Sequence, residues 1–427
     1  MRLTILGGRL SPTREPLSVR ARWAVALAAF AGLLFDGVEL GLMPVASLSV
    51  TRSLLGPSYT ESRGADWFAW LTAALMLGAA IGGIALGALG DRVGRVRALG
   101  VSVLFYSVFA GLGAFVTELP QLLFLRFLVG LGVGGVWPNA VALTQESWPA
   151  SSRTMVAGLM GCAINTGVLG LSQVARVRPI TADAWRWVFG LCAAPALLGV
   201  LVLVFLPESP RWLTERGTLR RPGAPLRKLF QPPLLRLTMI GILLGSIPLV
   251  GAWAASKWMV PWADSIGGTA RAGYKATVQG WWALGAAIGS LVGSHFAGRF
   301  GRRRSYFAIS LGATALTCGL FTLTRPLAPE FLAVVFFQGF VATLFFGWLP
   351  LYLPELFPTS VRATGSGIAY NVGRFATAVG VFAAGALSSL LGGDIARVGA
   401  IAGLVYSLGM IVIWWAPETT SAAIDAD

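Results

Sequence analysis

Histidine, cysteine and charge are what this chain has least of. His295 stands alone, and the three cysteines, Cys162, Cys192 and Cys318, lie inside apolar runs with no Cys-x-x-Cys or Cys/His ligand spacing. A disulfide framework and a zinc site are thereby excluded, and no metal or other cofactor is expected. Charged residues make up 12% of the 427, about half the share of a soluble domain, too few to coat a water-facing surface. No Gly-x-x-x-x-Gly-Lys-[Ser/Thr] loop occurs, which argues against ATP-driven pumping. Acidic residues are the scarcest charges, 18 against 33 Lys and Arg, leaving a net charge of +15. What is abundant is apolar: 56% hydrophobic residues, 54 glycines and 16 tryptophans. Such a composition excludes disorder and suits helices packed closely in lipid with aromatic anchors at the interfaces.

A spanning helix needs about 20 apolar residues. Twelve such runs occur, at 22–48, 67–89, 97–117, 120–144, 154–175, 185–206, 237–261, 277–297, 304–324, 330–352, 364–388 and 397–416. The longest polar stretch, 207–235, divides the chain into an N-terminal six-helix bundle (1–206), a cytoplasmic linker (207–235) and a C-terminal six-helix bundle (236–427). With the N-terminus inside, 21 Lys and Arg fall on the cytoplasmic side and nine on the other, while Arg126, Lys257 and Arg374 lie deep within runs, away from their ends. This bias places both termini in the cytoplasm and accounts for the basic excess without nucleic acid. Residues 1–20 hold four arginines and two prolines but no short apolar core, so they read as a cytoplasmic tail, not a cleaved signal peptide.

The two halves repeat. Gly94-Arg95 recurs as Gly301-Arg302 after 207 residues, Glu146-x-x-Pro149-x-x-x-Arg153 as Glu355-x-x-Pro358-x-x-x-Arg362 after 209, and Pro207-Glu208-Ser209 as Pro417-Glu418-Thr419 after 210. Each pair follows the second, fourth or sixth run of its half, the mark of a duplicated unit with a site between rocking halves. At these residues the chain resembles the major facilitator superfamily. Gly90-Asp91-Arg92-Val93-Gly94-Arg95 is similar to that family's loop between helices 2 and 3. Pro-Glu-Ser-Pro-Arg-Trp-Leu (207–213) resembles the sugar-porter, organic-ion and aromatic-acid or sialate symporter branches. The second loop departs from the pattern, with Gly298 where Asp91 stands in the first.

The resemblance implies an all-α membrane protein of twelve helices in two pseudo-symmetric bundles, a transporter and not an enzyme. It further implies that Gly90, Asp91, Arg92, Gly94, Arg95, Glu146, Arg153, Arg299, Gly301, Arg302, Glu355 and Arg362 form cytoplasmic gating motifs that latch the halves in the outward-facing state. Asp91 is expected at a helix N-terminus, where an anion gains roughly 0.3–1 kcal/mol.

Five charges lie away from the ends of the runs, at membrane depth: Asp36, Glu39, Arg126, Lys257 and Arg374. A charge at mid-bilayer costs about 2.5–3.5 kcal/mol and so faces a cavity or a partner. Asp36 and Glu39, three residues apart, are expected on one face of helix 1 as the proton-loading groups. Arg126 cannot deprotonate and needs an anion. Resemblance to sugar and organic-acid symporters pairs it with a helix 1 carboxylate, Asp36 first and Glu39 second. Arg374 and Lys257 have no charged counterparts in the other half, where Asn165 stands at the position matching Arg374, and they suit an anionic substrate. Asn371, Gln338 and Trp253 complete the substrate-binding candidates. Gly130-x-Gly132-x-Gly134-Gly135 imitates a dinucleotide loop but sits in an apolar run, so close helix packing is expected. Trp281 and Trp282 are expected as interfacial anchors, and His295 as a packing residue at the cytoplasmic edge.

The function read from these features is proton-coupled uptake of a small organic acid by alternating access, as a monomer in the cell membrane. A sugar or polyol is the alternative substrate. An export antiporter is disfavoured, because residues 153–175 lack the Gly-Pro pair that resembles drug antiporters. A sensor without flux is disfavoured because no output domain is appended.

Overall fold

The computed structural model describes residues 3–6, 9–12, 17–148, 153–215, 224–358 and 361–419. Twelve long helical segments form as the apolar runs require: α1 Val19–Leu55, α2 Glu61–Val93, α3 Arg95–Leu112, α4 Leu119–Ser147, α5 Arg153–Val177 and α6, split into Arg186–Ala193 and Pro195–Phe205. The second half repeats them as α7 Leu234–Val250 resuming at Met259–Gly267, α8 Tyr274–Phe300, α9 Arg302–Leu323, α10 Phe331–Glu355, α11 Arg362–Leu390 and α12, Ile395–Gly403 with Ser407–Val412. Short helices Pro210–Glu215 and Ala224–Leu229 stand in the segment between the halves. A departure from the all-helical expectation is the antiparallel pairing of Leu3–Leu6 with Arg9–Pro12, either side of a Gly-Gly dipeptide that is a hairpin signal.

Ten of the helical segments are long and apolar enough to cross a membrane, and α5 and α8 are not among them. Both carry polar residues on the face they turn to each other: Asn165 of α5 donates to Ser290 of α8 at 2.9 Å. The packing is the same in the two bundles. In the first, α4 packs on α2 and α3, and α1 on α5; in the second, α10 packs on α8 and α9, and α7 on α11. The bundles meet along α2–α11 and α5–α8, which are equivalent pairs under the repeat.

The glycine run of α4 explains itself here. A Cβ at Gly130 or Gly134 would strike the α2 backbone at Leu75 or Ala79, and one at Gly132 the α3 backbone at Ser102 and Tyr106. One helix thus lies close to two neighbours, which is the packing role expected of it.

Proline shapes the site. Pro248 cannot donate to the carbonyl of Leu244, and the Tyr306 hydroxyl takes that acceptor at 2.8 Å. Three residues on, α7 loosens into a π turn at Gly251–Ala255 and a 3-10 turn at Ser256–Trp258. Such a bulge commonly marks a functional site. The uninterrupted run expected over 237–261 is therefore two helices, with Lys257 in the break.

Candidate functional site

A cavity lies between the bundles, lined from α1, α2, α4 and α5 on one side and α7, α8, α10 and α11 on the other. Three charged residues line it: Asp36, Lys257 and Arg374. Its walls are otherwise mostly apolar or aromatic, with Trp137, Trp253, Trp282, Phe346 and Tyr370 the largest groups and Asn165, Ser290, Thr343 and Thr377 the neutral polar ones. Most donors of the neutral polar lining are already engaged. Asn165 donates to Ser290, Ser290 and Thr343 donate to the Ala286 carbonyl, and Thr377 donates to that of Gly373. A polyhydroxylated solute would find few free partners there, whereas an apolar body bearing an anion meets both its needs.

Lys257 is 4% exposed, with no carboxylate at ion-pair distance among the described residues. Its ammonium rests 3.4 Å from the centre of the Trp282 ring and 5.7 Å from that of Trp253. Aromatic faces attract a cation without neutralising it. Arg374 reaches across to the first bundle, where its Nη1 donates to the Ala79 carbonyl at 3.2 Å and lies 3.5 Å from that of Gly134. The latter oxygen is free to accept because Pro138, four residues later, has no N–H to give it. Asp36 is 1% exposed and its Oδ1 has no hydrogen-bond partner. The charge of Arg374 acts on it across the cavity. With Asp36 ionised the cavity carries one net positive charge; with Asp36 protonated it carries two.

Arg126 pairs with Glu39, not with Asp36. Its Nη1 donates to Glu39 Oε2 at 2.8 Å and its Nη2 to the Glu39 carbonyl at 3.2 Å, and both residues are 1% exposed. The two carboxylates are neighbours on α1, as their spacing requires, but they reach different surroundings. Three residues of α-helix turn through about 300°, so the two carboxylates diverge by about 60°. That suffices to send Asp36 to the cavity and Glu39 into the first bundle, towards α4. Beside the pair, with Cys192 next to Glu39, the atoms Glu39 Oε1, Arg126 Nε and Tyr106 Oη are buried with no hydrogen bond at full geometry among the described residues, a polar cluster in an apolar bundle.

Of the other substrate-binding candidates, Trp253 lines the cavity, but Gln338 and Asn371 do not. Gln338 is fully buried behind Trp282. Asn371 donates back to the Gly367 carbonyl and packs against Gly83 of α2. Trp281 is 43% exposed, as an interfacial anchor should be, whereas Trp282 is 5% exposed and faces inwards. One step along a helix rotates a side chain by about 100°, so adjacent tryptophans take opposite duties. His295 is exposed, not packed.

The motif loops gather at one end of the molecule, here called the basic end. Gly94 (φ 115°) and Gly301 (φ 83°) take backbone conformations that L side chains avoid. Arg95 bonds Asp91 in its own loop and reaches Glu146 at 3.5 Å; Arg302 bonds Glu355 at 2.6 Å. The α3 N-terminus is held by Glu208, which accepts from the Val96 N–H at 3.1 Å, and not by Asp91 as expected. Glu418 does the same for Arg302 and Arg303 at the start of α9. Gly90 admits Asn139 from α4. Arg92 and Arg299 are exposed. Arg362 donates to the Phe357 carbonyl, leaving Glu355 to Arg302, so its expected place in the charge network is a local cap. The Arg153 side chain lies outside the described residues.

At the opposite end sit charges that read from sequence as loop residues. Asp264 of α7 is buried against Lys275 of α8 at 3.2 Å and Arg52 of α1 at 3.4 Å. Lys275 also donates to Ser49 of α1 at 2.7 Å. Arg52 further reaches Glu61 and lies over the ring of Tyr59. Burial, opposed by the Arg52 charge, pushes the Tyr59 phenol up to about 12, so it faces Arg52 as a neutral ring. Among the described residues, hydrogen bonds join the bundles from mid-depth (Arg374–Ala79, Asn165–Ser290) to this end (Ser389–Asp66, Lys275–Ser49, Arg52–Asp264).

Comparison with known proteins agrees with this architecture. The sugar (and other) transporter family matches residues 24–244, and the major facilitator superfamily matches 258–425. A probable 4-methylmuconolactone transporter of Cupriavidus pinatubonensis is 31% identical over 81% of this chain and 80% of its own. The cis,cis-muconate transport protein of Acinetobacter baylyi is 29% identical over 90% of this chain and 92% of its own. The 4-hydroxybenzoate transporter PcaK of Pseudomonas putida is 31% identical over 51% and 46%. Among solved structures, the partially occluded inward-open xylose transporter XylE of E. coli aligns with a TM-score of 0.76 at 20% identity, over 95% of this chain and all of that one.

Proposed function

The chain belongs to the sugar (and other) transporter family within the major facilitator superfamily, a multi-pass membrane transporter of small molecules, and on that premise we propose that it imports an organic acid with protons. The observation that carries this reading is the cavity: an apolar, aromatic space whose charges are two cations and one carboxylate. The relatives named for muconate, 4-methylmuconolactone and 4-hydroxybenzoate point to unsaturated or aromatic acids as the class to try first.

In this reading the basic end faces the cytoplasm, with both termini, and the membrane is the cell membrane. Residues 207–235 link two bundles, 1–206 and 236–427, that rock about the cavity. Asp36 takes the proton and thereby leaves Arg374 and Lys257 free to bind the carboxylate of the substrate. Glu39 and Arg126 form the coupled pair behind it. The motif clusters at the basic end would close that side in the other half of the cycle.

Uptake into proteoliposomes with an imposed pH gradient, screened over carboxylates, sugars and polyols, tests the reading. Alkalinisation outside on adding a carboxylate is the expected result; the same response to a sugar and none to carboxylates would overturn it. Replacing Lys257 by Gln is expected to raise KM for the acid by about 10- to 100-fold, because a hydrogen bond to a charged group is worth about 1.5–3 kcal/mol. An unchanged KM would remove Lys257 from the site.

The Arg52–Asp264–Lys275 cluster would hold the outer side shut. In Asp264→Asn, Lys275 and Arg52 lose the anion that joins them, and Arg52 keeps only Glu61 of its own bundle. The outward-open population should rise by about tenfold, the equivalent of about 1.4 kcal/mol. A Val168→Cys reporter in a background without native cysteines reads this as faster labelling by an impermeant thiol reagent added outside. Equal labelling rates in the two proteins would show that the cluster does not gate.

A further inference from the structure

We propose that Gln338 is a positioning residue that acts on Lys257 from two sides, through Ser256 and through Trp282; the assignment rests on the carboxylate reading of the cavity. The Gln338 amide is buried and engaged at both its oxygen and its nitrogen. Its Oε1 accepts from the Trp282 indole N–H at 2.8 Å, and its Nε2 donates to Ser256 Oγ at 2.6 Å and to Thr317 Oγ1 at 3.0 Å. Ser256 is the residue before Lys257 in the broken turn of α7. Its hydroxyl also lies 3.2 Å from the Gly251 carbonyl and 3.1 Å from the Tyr406 hydroxyl. Trp282 is the ring beneath the ammonium. One amide on α10 therefore fixes both the backbone that carries the lysine and the surface on which its head rests.

This matters because a lysine side chain has much rotamer freedom to lose. No carboxylate among the described residues holds this one. A head already in place lets an incoming carboxylate bind without meeting that cost. Neither hydrophobic packing nor helix geometry demands an amide at 338. Leucine would fill much of the same space but leave the indole N–H and two hydroxyls without it, and glutamate would offer Lys257 a competing anion nearby.

The test measures transport of 4-hydroxybenzoate, with 4-hydroxybenzamide as a neutral competitor, in wild type, Gln338→Leu, Lys257→Gln and the double variant. Gln338→Leu is expected to raise KM about tenfold, to leave kcat within about twofold, and to erase most of the preference for the acid over its amide. The double variant should be no worse than Lys257→Gln alone, since residues acting through one group are not additive. Trp282→Phe, which keeps a ring but loses the indole N–H, should raise KM by about threefold in the same non-additive way. It serves as the readout if Gln338→Leu does not fold. Additive losses, or a fall in kcat with KM and acid preference unchanged, would overturn the assignment and leave Gln338 a packing residue. If wild type itself shows no preference for the acid, the carboxylate reading falls and takes the assignment with it. If wild type and Gln338→Leu share the same preference, only the assignment falls.

Discussion

Asp36→Asn is expected to reduce accumulation driven by a pH gradient to the level of passive equilibration, while counterflow of the same acid continues at half the wild-type rate or more. Asp36 is the one carboxylate among the cavity-lining residues, and its Oδ1 has no partner to hold the charge in place. Asparagine preserves the shape and cannot load a proton. The variant cavity has Lys257 and Arg374 with no internal anion, which fixes it in the electrostatic state that protonation of Asp36 would otherwise create. Two effects should therefore separate. The acid binds more tightly, with KM lower by roughly fivefold, because a competing carboxylate has gone, and the gradient no longer does work. Proteoliposomes loaded at equal and unequal pH measure both. Gradient-driven accumulation at the wild-type level in Asp36→Asn would exclude Asp36 as the proton site.

The parts of this molecule that were legible in the sequence are those set by local rules. A membrane helix must be apolar for about 20 residues, so the segments were found, and the 207- to 210-residue offset disclosed the duplication. The same offset returns in three dimensions, where Gly78 and Gly82 of α2 and Gly285 and Gly289 of α8 meet α4 and α10 in the same way. Asp36, Lys257 and Arg374 stood out because a charge inside an apolar run is costly. What escaped depends on rotation and on partners far away in the chain. Glu39 rather than Asp36 meets Arg126 because of a 60° difference around α1. Trp282 rather than Trp281 enters the cavity for a similar reason. Asp264 and Lys275 lie at the ends of apolar runs, where a sequence window sees a loop, and only the packing of α1 against α7 and α8 buries them. The π turn in α7 had a visible signal, Pro248 followed by Gly251, but its location fixes nothing until Tyr306 and Tyr406 arrive from α9 and α12.

The largest stability effect should come from Glu39→Gln. Burying two charges is expensive, and the Glu39–Arg126 pair offsets that expense only while both members are present. Glutamine leaves Arg126 as an uncompensated cation, 1% exposed, in the core of the first bundle. Removing one partner of such a pair typically costs about 3–5 kcal/mol. Much of a domain's folding free energy, about 5–15 kcal/mol, is then lost. The expected result is a large drop in the thermal midpoint of the detergent-solubilised protein and little transport. The double variant Glu39→Gln/Arg126→Met separates the two roles of the pair. Without either charge the bundle should recover most of its stability, because apolar replacement of a buried pair is often neutral or stabilising. Transport should not recover with it if the pair is part of the coupling, because the Arg126 charge that must be released and recaptured is gone. A stable double variant that accumulates the acid as wild type does would make the pair a structural element alone, and would leave Asp36 and Arg374 to account for coupling by themselves.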